Sequence, residues 1–407
     1  MKILYIHQYF LTPSEGGAIR SYYLAKSLVD NGHEVEMITS HNAQEYKVEN
    51  VEGIKVHYLP VAYDNRFGFF RRIFSFLLFL LKAYNTAKKI EDVELCYATS
   101  TPLTIGLIAL RLKRKHNIPY YFEVRDLWPE APIQMGFIKN YFLKKFLYKM
   151  EETIYKNATL LVALSPGIRD GIERVVPDKL VYLIPNLSDC TFFKMEAKDK
   201  ALEEKFKVKD KFVISYFGAI GKVNNLESII PVMIACQQKN LPVEFLIAGK
   251  GAEADKIKAL CEKAGLNNTQ FLGFLNKEGV SEVMNVTDAA YISFANKPIL
   301  ETNSPNKFFD ALAAAKLCIT NTKGWIKELV EQKECGFYYD NSSPQVFLDK
   351  LTPFLEDKNK LFEFQKNARI LAEQHFSREI QTQRFVKLFN KEERLAPFIS
   401  SVYTLTA

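Results

Sequence analysis

Short apolar runs alternate with helix-patterned stretches along the whole chain, and this rhythm restricts the fold more than any other feature. In the first half, strands are expected at 2–7, 34–39, 55–59, 95–98, 120–124, 160–163 and 180–184. Helical patterns separate most of them, as at 18–31 and 103–116. The second half restarts the rhythm with strands at 212–217, 244–248, 269–272, 290–294 and 317–320. Such alternation implies parallel sheets joined by right-handed crossovers. Near-continuous apolar strands such as VISYF and EFLIA suit strands covered on both faces. At 407 residues the chain exceeds one ordinary core. The expected fold class is therefore α/β: two facing doubly wound, Rossmann-like domains, 1–188 and 211–378, with an inter-domain cleft. A charged linker at 189–210 joins them, and a C-terminal helix at about 379–407 packs back on the first.

Composition narrows the function classes. With 48% hydrophobic and 25% charged residues the chain is globular rather than disordered. A net charge of +7 fits anionic small molecules or lipid headgroups as partners; no nucleic-acid partner is expected. Six scattered cysteines without a CxxC spacing read as buried thiols of a reducing compartment. The N-terminus MKILYIHQYF runs straight into a strand without a signal-peptide pattern, so a cytoplasmic location is expected. Two acid-free segments, 66–89 and 138–150, combine aromatic residues with lysines and arginines. The apolar run 73–81 is much shorter than the roughly 20 residues a membrane span needs. Either these are core-packing helices with solvated lysines or they are interfacial helices. Their shared chemistry points to peripheral contact with the inner face of the cell membrane.

Ligands of open parallel sheets bind beyond the carboxyl ends of the strands, so the loops there carry the chemistry. The first, 12-TPSEGGAIRSYY-23, places Gly16 and Gly17 before a helix whose free N–H groups suit an anion. In 122-FEVRDLWPEAP-132, Arg125 and Asp126 flank a cleft position, with Asp126 able to orient a hydroxyl or act as general base. An Arg125–Asp126 structural network over Trp128 is the alternative. His7, ending the first strand, is the one histidine placed for the cleft. In the second half, Gly218 with Lys222 and Gly249 with Lys250 each form a strand–helix turn of a kind that cradles phosphate.

The stretch 300-LETNSPNKFFDALAAAKLCIT-320 supplies the sharpest clue. Ser304 is a good N-cap, Pro305 suits the first helical position, and Asn306 follows. Lys307 then stands in the first turn, where the helix dipole is positive and a carboxylate would be favoured. A diphosphate bound at the helix start would explain that charge, and Asp310 could hold a ribose diol. The competing explanation is a local Lys307–Asp310 ion pair. No DxD pair, P-loop or HExxH motif is present, and no metal or other cofactor is expected.

As a set, KILYIHQYFLTPSEGGAIRSYYLAKSLVDNGHEV, EVRDLWPE, ALSPGIRDGI with LVYLIPNLSD, AGKGAE and SPNKFFDALAAAKLCIT resemble the GT4 family of retaining, nucleotide-sugar-dependent glycosyltransferases, which have the GT-B fold. The likeness covers nearly the whole chain. SPNKFFDALA is most similar to the branch that adds amino- or deoxy-sugars to lipid-linked O-antigen and capsule intermediates. The resemblance implies a nucleotide-sugar donor, with a UDP-sugar expected, and a lipid-linked saccharide acceptor. It implies that Asp310 binds ribose, that the loop around Phe274 meets the base, and that Gly16, Gly17 and Lys307 lie near the diphosphate. Of the family's E-x7-E carboxylates, Thr302 takes the first position and Asp310 the second. The usual Arg and Lys of the second-domain loop are Ala219 and Asn224, so charge neutralisation falls on Lys307, with Lys222. Two other functions remain open: a nucleotide-sugar epimerase of the same fold, and a non-catalytic membrane-bound nucleotide-sugar binder.

Overall fold

A computed structural model describes residues 1–13, 15, 19–64 and 67–390. Gly16, Gly17 and Arg66 lie outside the described residues, as does the C-terminal stretch from 391.

The first half contains β1 (Lys2–Ile6), β2 (Glu34–His41), β3 (Lys47–Val51), β4 (Ile54–Pro60), β5 (Leu95–Thr99), β6 (Tyr120–Val124), β7 (Leu160–Ala163) and β8 (Val181–Leu183). They form one sheet in the order β3-β4-β2-β1-β5-β6-β7-β8. All neighbours are parallel except β3 and β4. The second half contains β9 (Phe212–Phe217), β10 (Val243–Ala248), β11 (Thr269–Gly273), β12 (Ala289–Ile292), β13 (Leu317–Thr320) and β14 (Gly336–Tyr338). These build an all-parallel sheet in the order β11-β10-β9-β12-β13-β14.

Two strands escaped the sequence reading. β3, KVENV, is a solvated edge strand with no apolar alternation. Glu52 and Gly53, both at positive φ, form the two-residue turn that returns the chain into β4. β14 has three residues, too few to show a period.

Helices cover both sheets. The helix Thr104–His116 shows why local sequence suffices for many of them. Its apolar face, Ile105, Ile108, Ala109 and Leu112, is buried, and basic residues fill its last turn, where the helix dipole is negative. Asn117 ends it in the left-handed conformation. The linker region holds a short helix, Lys200–Phe206, capped by Asp199.

The helix Arg378–Lys387 packs on the first half: Phe385 and Phe389 are buried in the same apolar cluster as Ile3, Tyr5 and Tyr97. The two chain crossings between halves lie side by side. Ser188 N–H donates to the Phe376 carbonyl at 2.8 Å, and Arg378 N–H donates to the Ser188 carbonyl at 3.0 Å. A second apolar cluster runs from Leu127 and Ile168 of the first half to Ile299, Leu300 and Phe308 of the second. The carboxyl-end loop of β6 thereby belongs to the same junction as the helix carrying Lys307.

Candidate functional site

After β12 the chain makes a turn at Pro298–Thr302 and enters the helix Asn306–Ala313. The helix begins one residue later than expected. Pro305, with φ −79° and ψ 133°, occupies the cap position and Asn306 is the first helical residue. Extended backbone is normal for a residue just outside a helix, and Ser304 is pushed into it by the proline that follows. Ser304 therefore does not cap the helix. Its Oγ is buried with no hydrogen-bond partner among the described residues, as is Oδ1 of Asn186, whose Nδ2 donates to the Ser304 carbonyl.

Lys307 points back across β9. Its ammonium donates to Tyr216 Oη at 3.0 Å and lies 4.1 Å from the centre of that ring and 5.4 Å from the ring of Phe294. Tyr216 Oη itself donates to the Ala219 carbonyl, so it is free to accept from the lysine. No ion pair joins Lys307 to Asp310 or to any other carboxylate among the described residues, which removes the local-pair explanation. Burial pushes the Lys307 ammonium down to about 7. Asp310, also without an ion-pair partner among the described residues, is pushed up to about 7 by burial and by the Asp189 charge, against the pull of Lys277.

The glycine loops are tighter than the sequence suggested. Gly218 N–H donates to the Ala248 carbonyl at 3.0 Å and Gly249 N–H to the Gly273 carbonyl at 2.7 Å, so neither is left for a phosphate. What glycine supplies here is closeness. A Cβ on Gly249 would fall 1.8 Å from the Gly218 oxygen, and one on Gly218 would stand 3.7 Å from Lys307 Cε. Gly218 thus forms a bare surface beside the ammonium. Lys222 is solvent-exposed, and Lys250 lies 4.3 Å from the ring centre of Phe274, itself 61% exposed. Exposed Phe274 and Lys250 offer a platform at the rim rather than a cage.

On the facing side, the network proves to be Arg20–Glu123, not Arg125–Asp126. Both side chains are fully buried and meet at 2.9 Å. Tyr97 and Thr99 hydroxyls also donate to Glu123, and Arg20 donates to the carbonyls of Ile184 and Pro185. Burial raises the Glu123 carboxyl, but the adjacent guanidinium more than offsets this and holds it at about 2. Arg20 carried no sequence signal: it lies within a helix, 103 positions from its partner.

Arg125 instead donates to His7 Nε2 at 3.1 Å. A guanidinium can only donate, so His7 accepts through Nε2 and its proton is on Nδ1. Burial, reinforced by Arg125, holds the imidazole well below 6.5 and therefore neutral. Nδ1–H is buried and has no partner among the described residues, and neither do Gln8 Oε1 and the Tyr9 hydroxyl. Asp126 is half-buried, with its pKa raised by burial against the pull of Arg125. The end of β1 thus presents several unspent polar groups beside a weakly acidic carboxyl.

The segments 66–89 and 138–150 fall on the helices Phe69–Ala87 and Tyr141–Asn157. On the first, Phe70 (85% exposed), Phe74, Leu77 and Leu81 form one solvent-facing stripe, while Phe79, Ala83 and Ala87 face the core. Tyr141, Phe142 and Phe146 are exposed on the second. The Arg72 guanidinium lies 5.9 Å from the ring of exposed Phe137, in the loop before the second helix. No described helix is long and apolar enough to cross a membrane.

Comparison with known proteins bears on the family and the fold. A family described as a glycosyl transferase 4-like domain matches residues 15–186, and glycosyl transferases group 1 match residues 197–371. An uncharacterized glycosyltransferase of Methanocaldococcus jannaschii is 22% identical over 81% of this chain and 82% of its own. The capsular polysaccharide biosynthesis glycosyltransferase CapM of Staphylococcus aureus is 23% identical over 60% of this chain and 64% of its own. Among solved structures, sucrose-phosphate synthase from Thermosynechococcus elongatus superposes with a TM-score of 0.75 at 16% identity, covering 95% of this chain and 98% of that one. HepE of Anabaena, solved in complex with UDP and glucose, gives 0.71 at 18% identity over 96% and 99%.

Proposed function

We propose that this chain, a group 1 glycosyltransferase with the GT-B fold, transfers a sugar from a UDP-sugar to a hydroxyl of a lipid-linked saccharide in bacterial surface polysaccharide synthesis, with retention of configuration and without a metal ion. One observation carries the proposal. Lys307 is a half-buried cation at a helix start, has no counter-ion among the described residues, and lies against a bare glycine surface. A departing diphosphate would supply the missing charge. The bacterial capsule relative supports the polysaccharide context, and the UDP complex of the Anabaena protein supports the choice of base.

In this mechanism closure of the two halves excludes water and aligns donor and acceptor. The bond from the anomeric carbon to the diphosphate oxygen breaks as the acceptor oxygen bonds to that carbon from the same face, and the acceptor's proton passes to the departing diphosphate. Lys307 and the first-turn N–H groups of its helix receive the negative charge. Ser304 Oγ and Asn186 Oδ1 offer hydrogen bonds to the donor, and Asp310 to its ribose. On the acceptor side, His7 Nδ1–H, Arg125 and Asp126 orient the incoming hydroxyl. No protein nucleophile is used, and a lysine in place of a metal leaves the reaction insensitive to chelation.

The exposed aromatic stripe, with basic residues at its margins, seats the first half on an anionic leaflet on the cytoplasmic side, where a lipid-linked acceptor is anchored. Flotation with phosphatidylglycerol-containing vesicles checks this. Phe70→Ser with Phe74→Ser is expected to leave the protein in the unbound fraction.

A thermal-shift panel of UDP, GDP, ADP and TDP in EDTA, for wild type and Lys307→Ala, tests the donor site. Stabilisation of wild type alone by UDP is expected. No shift with any nucleotide would reduce the helix start to packing; a shift shared by both proteins would place the nucleotide elsewhere.

A further inference from the structure

The loop delivering Lys307 belongs in sequence to the second half, yet it hangs from the first. Gln134 Oε1 accepts from Ile299 N–H at 3.1 Å. Ser165 Oγ donates to the Thr302 carbonyl, and Asn186 Nδ2 to the Ser304 carbonyl. All three bonds reach main-chain groups, at spacings of three and two residues, ending three residues before Lys307. From the second half, Trp325 Nε1 donates to the Asn303 carbonyl of the same loop at 2.9 Å. Close approach is built in on both sides. A Cβ on Gly167 would stand 3.1 Å from Thr302 Cα, and one on Gly324, at φ +72°, 2.8 Å from the Glu301 oxygen.

From this we infer that Gln134, Ser165 and Asn186 are positioning residues that make the anion site at Lys307 conditional on the two halves being together. The inference rests on Lys307 being the diphosphate site. Separating the halves breaks all three bonds at once and leaves the loop its internal bonds, its packing and the Trp325 contact. The start of the helix then loses the frame that fixes Ser304, Pro305 and Lys307. Donor grip and domain approach become one event, which keeps a sugar nucleotide from being activated in an open, wet cleft. Main-chain recognition suits this task, because it reads where the loop is and not which side chains it carries.

Ser165 allows a clean test. Its Oγ also accepts from Ile168 N–H as the N-cap of the helix Pro166–Val175. Ser165→Gly keeps an acceptable N-cap residue but has no hydroxyl for the Thr302 carbonyl; Ser165→Thr keeps both bonds. The measurement is amide hydrogen exchange over 298–307 together with UDP affinity. In Ser165→Gly, exchange across 300–304 is expected to rise, and UDP affinity to fall, by about tenfold for the lost bond. Ser165→Thr should match wild type, and both variants should still melt cooperatively. Gln134→Leu, which has no capping role, should repeat the Ser165→Gly result. Wild-type exchange in both Ser165→Gly and Gln134→Leu overturns the inference. Wild-type protein that fails to bind UDP sinks the donor-site reading instead, while the exchange comparison still decides whether the loop is held from the first half.

Discussion

A buried charge in the first half and a half-buried one in the second are treated in opposite ways. Glu123, in the first half, is enclosed by Arg20, Tyr97 and Thr99 and is held ionised at about 2. Lys307, in the second, has a tyrosine hydroxyl, two aromatic rings and, among the described residues, no carboxylate, and is pushed down to about 7. A paired buried charge is complete in the free protein, and its loss is felt as instability. An unpaired one is relieved either by a shift in its pKa or by a partner from outside the chain. Lys307, beside the bare surface of Gly218, is placed to receive such a partner.

The largest effect that could break this comparison is on stability. Glu123→Gln leaves the Arg20 guanidinium buried and uncompensated, a loss of about 3–5 kcal/mol, and the first thermal transition should fall by many degrees. If calorimetry finds it unchanged, the buried pair is not scaffold. Lys307→Ala should do the reverse, with melting retained and turnover down by about 100- to 1,000-fold, as for removal of one transition-state donor. Normal kcat in a steady-state assay would end the distinction. The smallest effect sharpens it. A bound diphosphate raises the lysine pKa, so above pH 7 binding must take up a proton. UDP affinity should then weaken by up to about tenfold per pH unit from 7 to 9. Lys307→Arg stays charged throughout and should show a level profile in titration calorimetry over that window.

Much of the architecture was legible because strands covered on both faces leave apolar runs that need no tertiary context to be seen. β6 (YYFEV) and β9 (FVISYF) were placed to the residue. β3 was invisible for the opposite reason: an edge strand of Lys, Glu and Asn buries nothing that would mark it. At the site, Lys307 stood out because its charge conflicts with the helix dipole, a purely local argument. Ser304 was misread by one helical position because proline chemistry permits either the cap or the first turn. Arg20, Asn186 and Tyr216 could not be found at all. Their roles come from partners more than 90 residues away, and nothing adjacent to them in sequence announces the contact.

The helix Arg378–Lys387 gives the chain a temporal property as well as a spatial one. Phe385, Val386, Leu388 and Phe389 fill the core shared by β1, β5 and the helix Arg20–Asp30. During synthesis the first half emerges early but lacks these side chains until the second half has been made as well. Its sheet waits, incompletely covered, while the second half can close around residues it already possesses. The part made first is the part finished last.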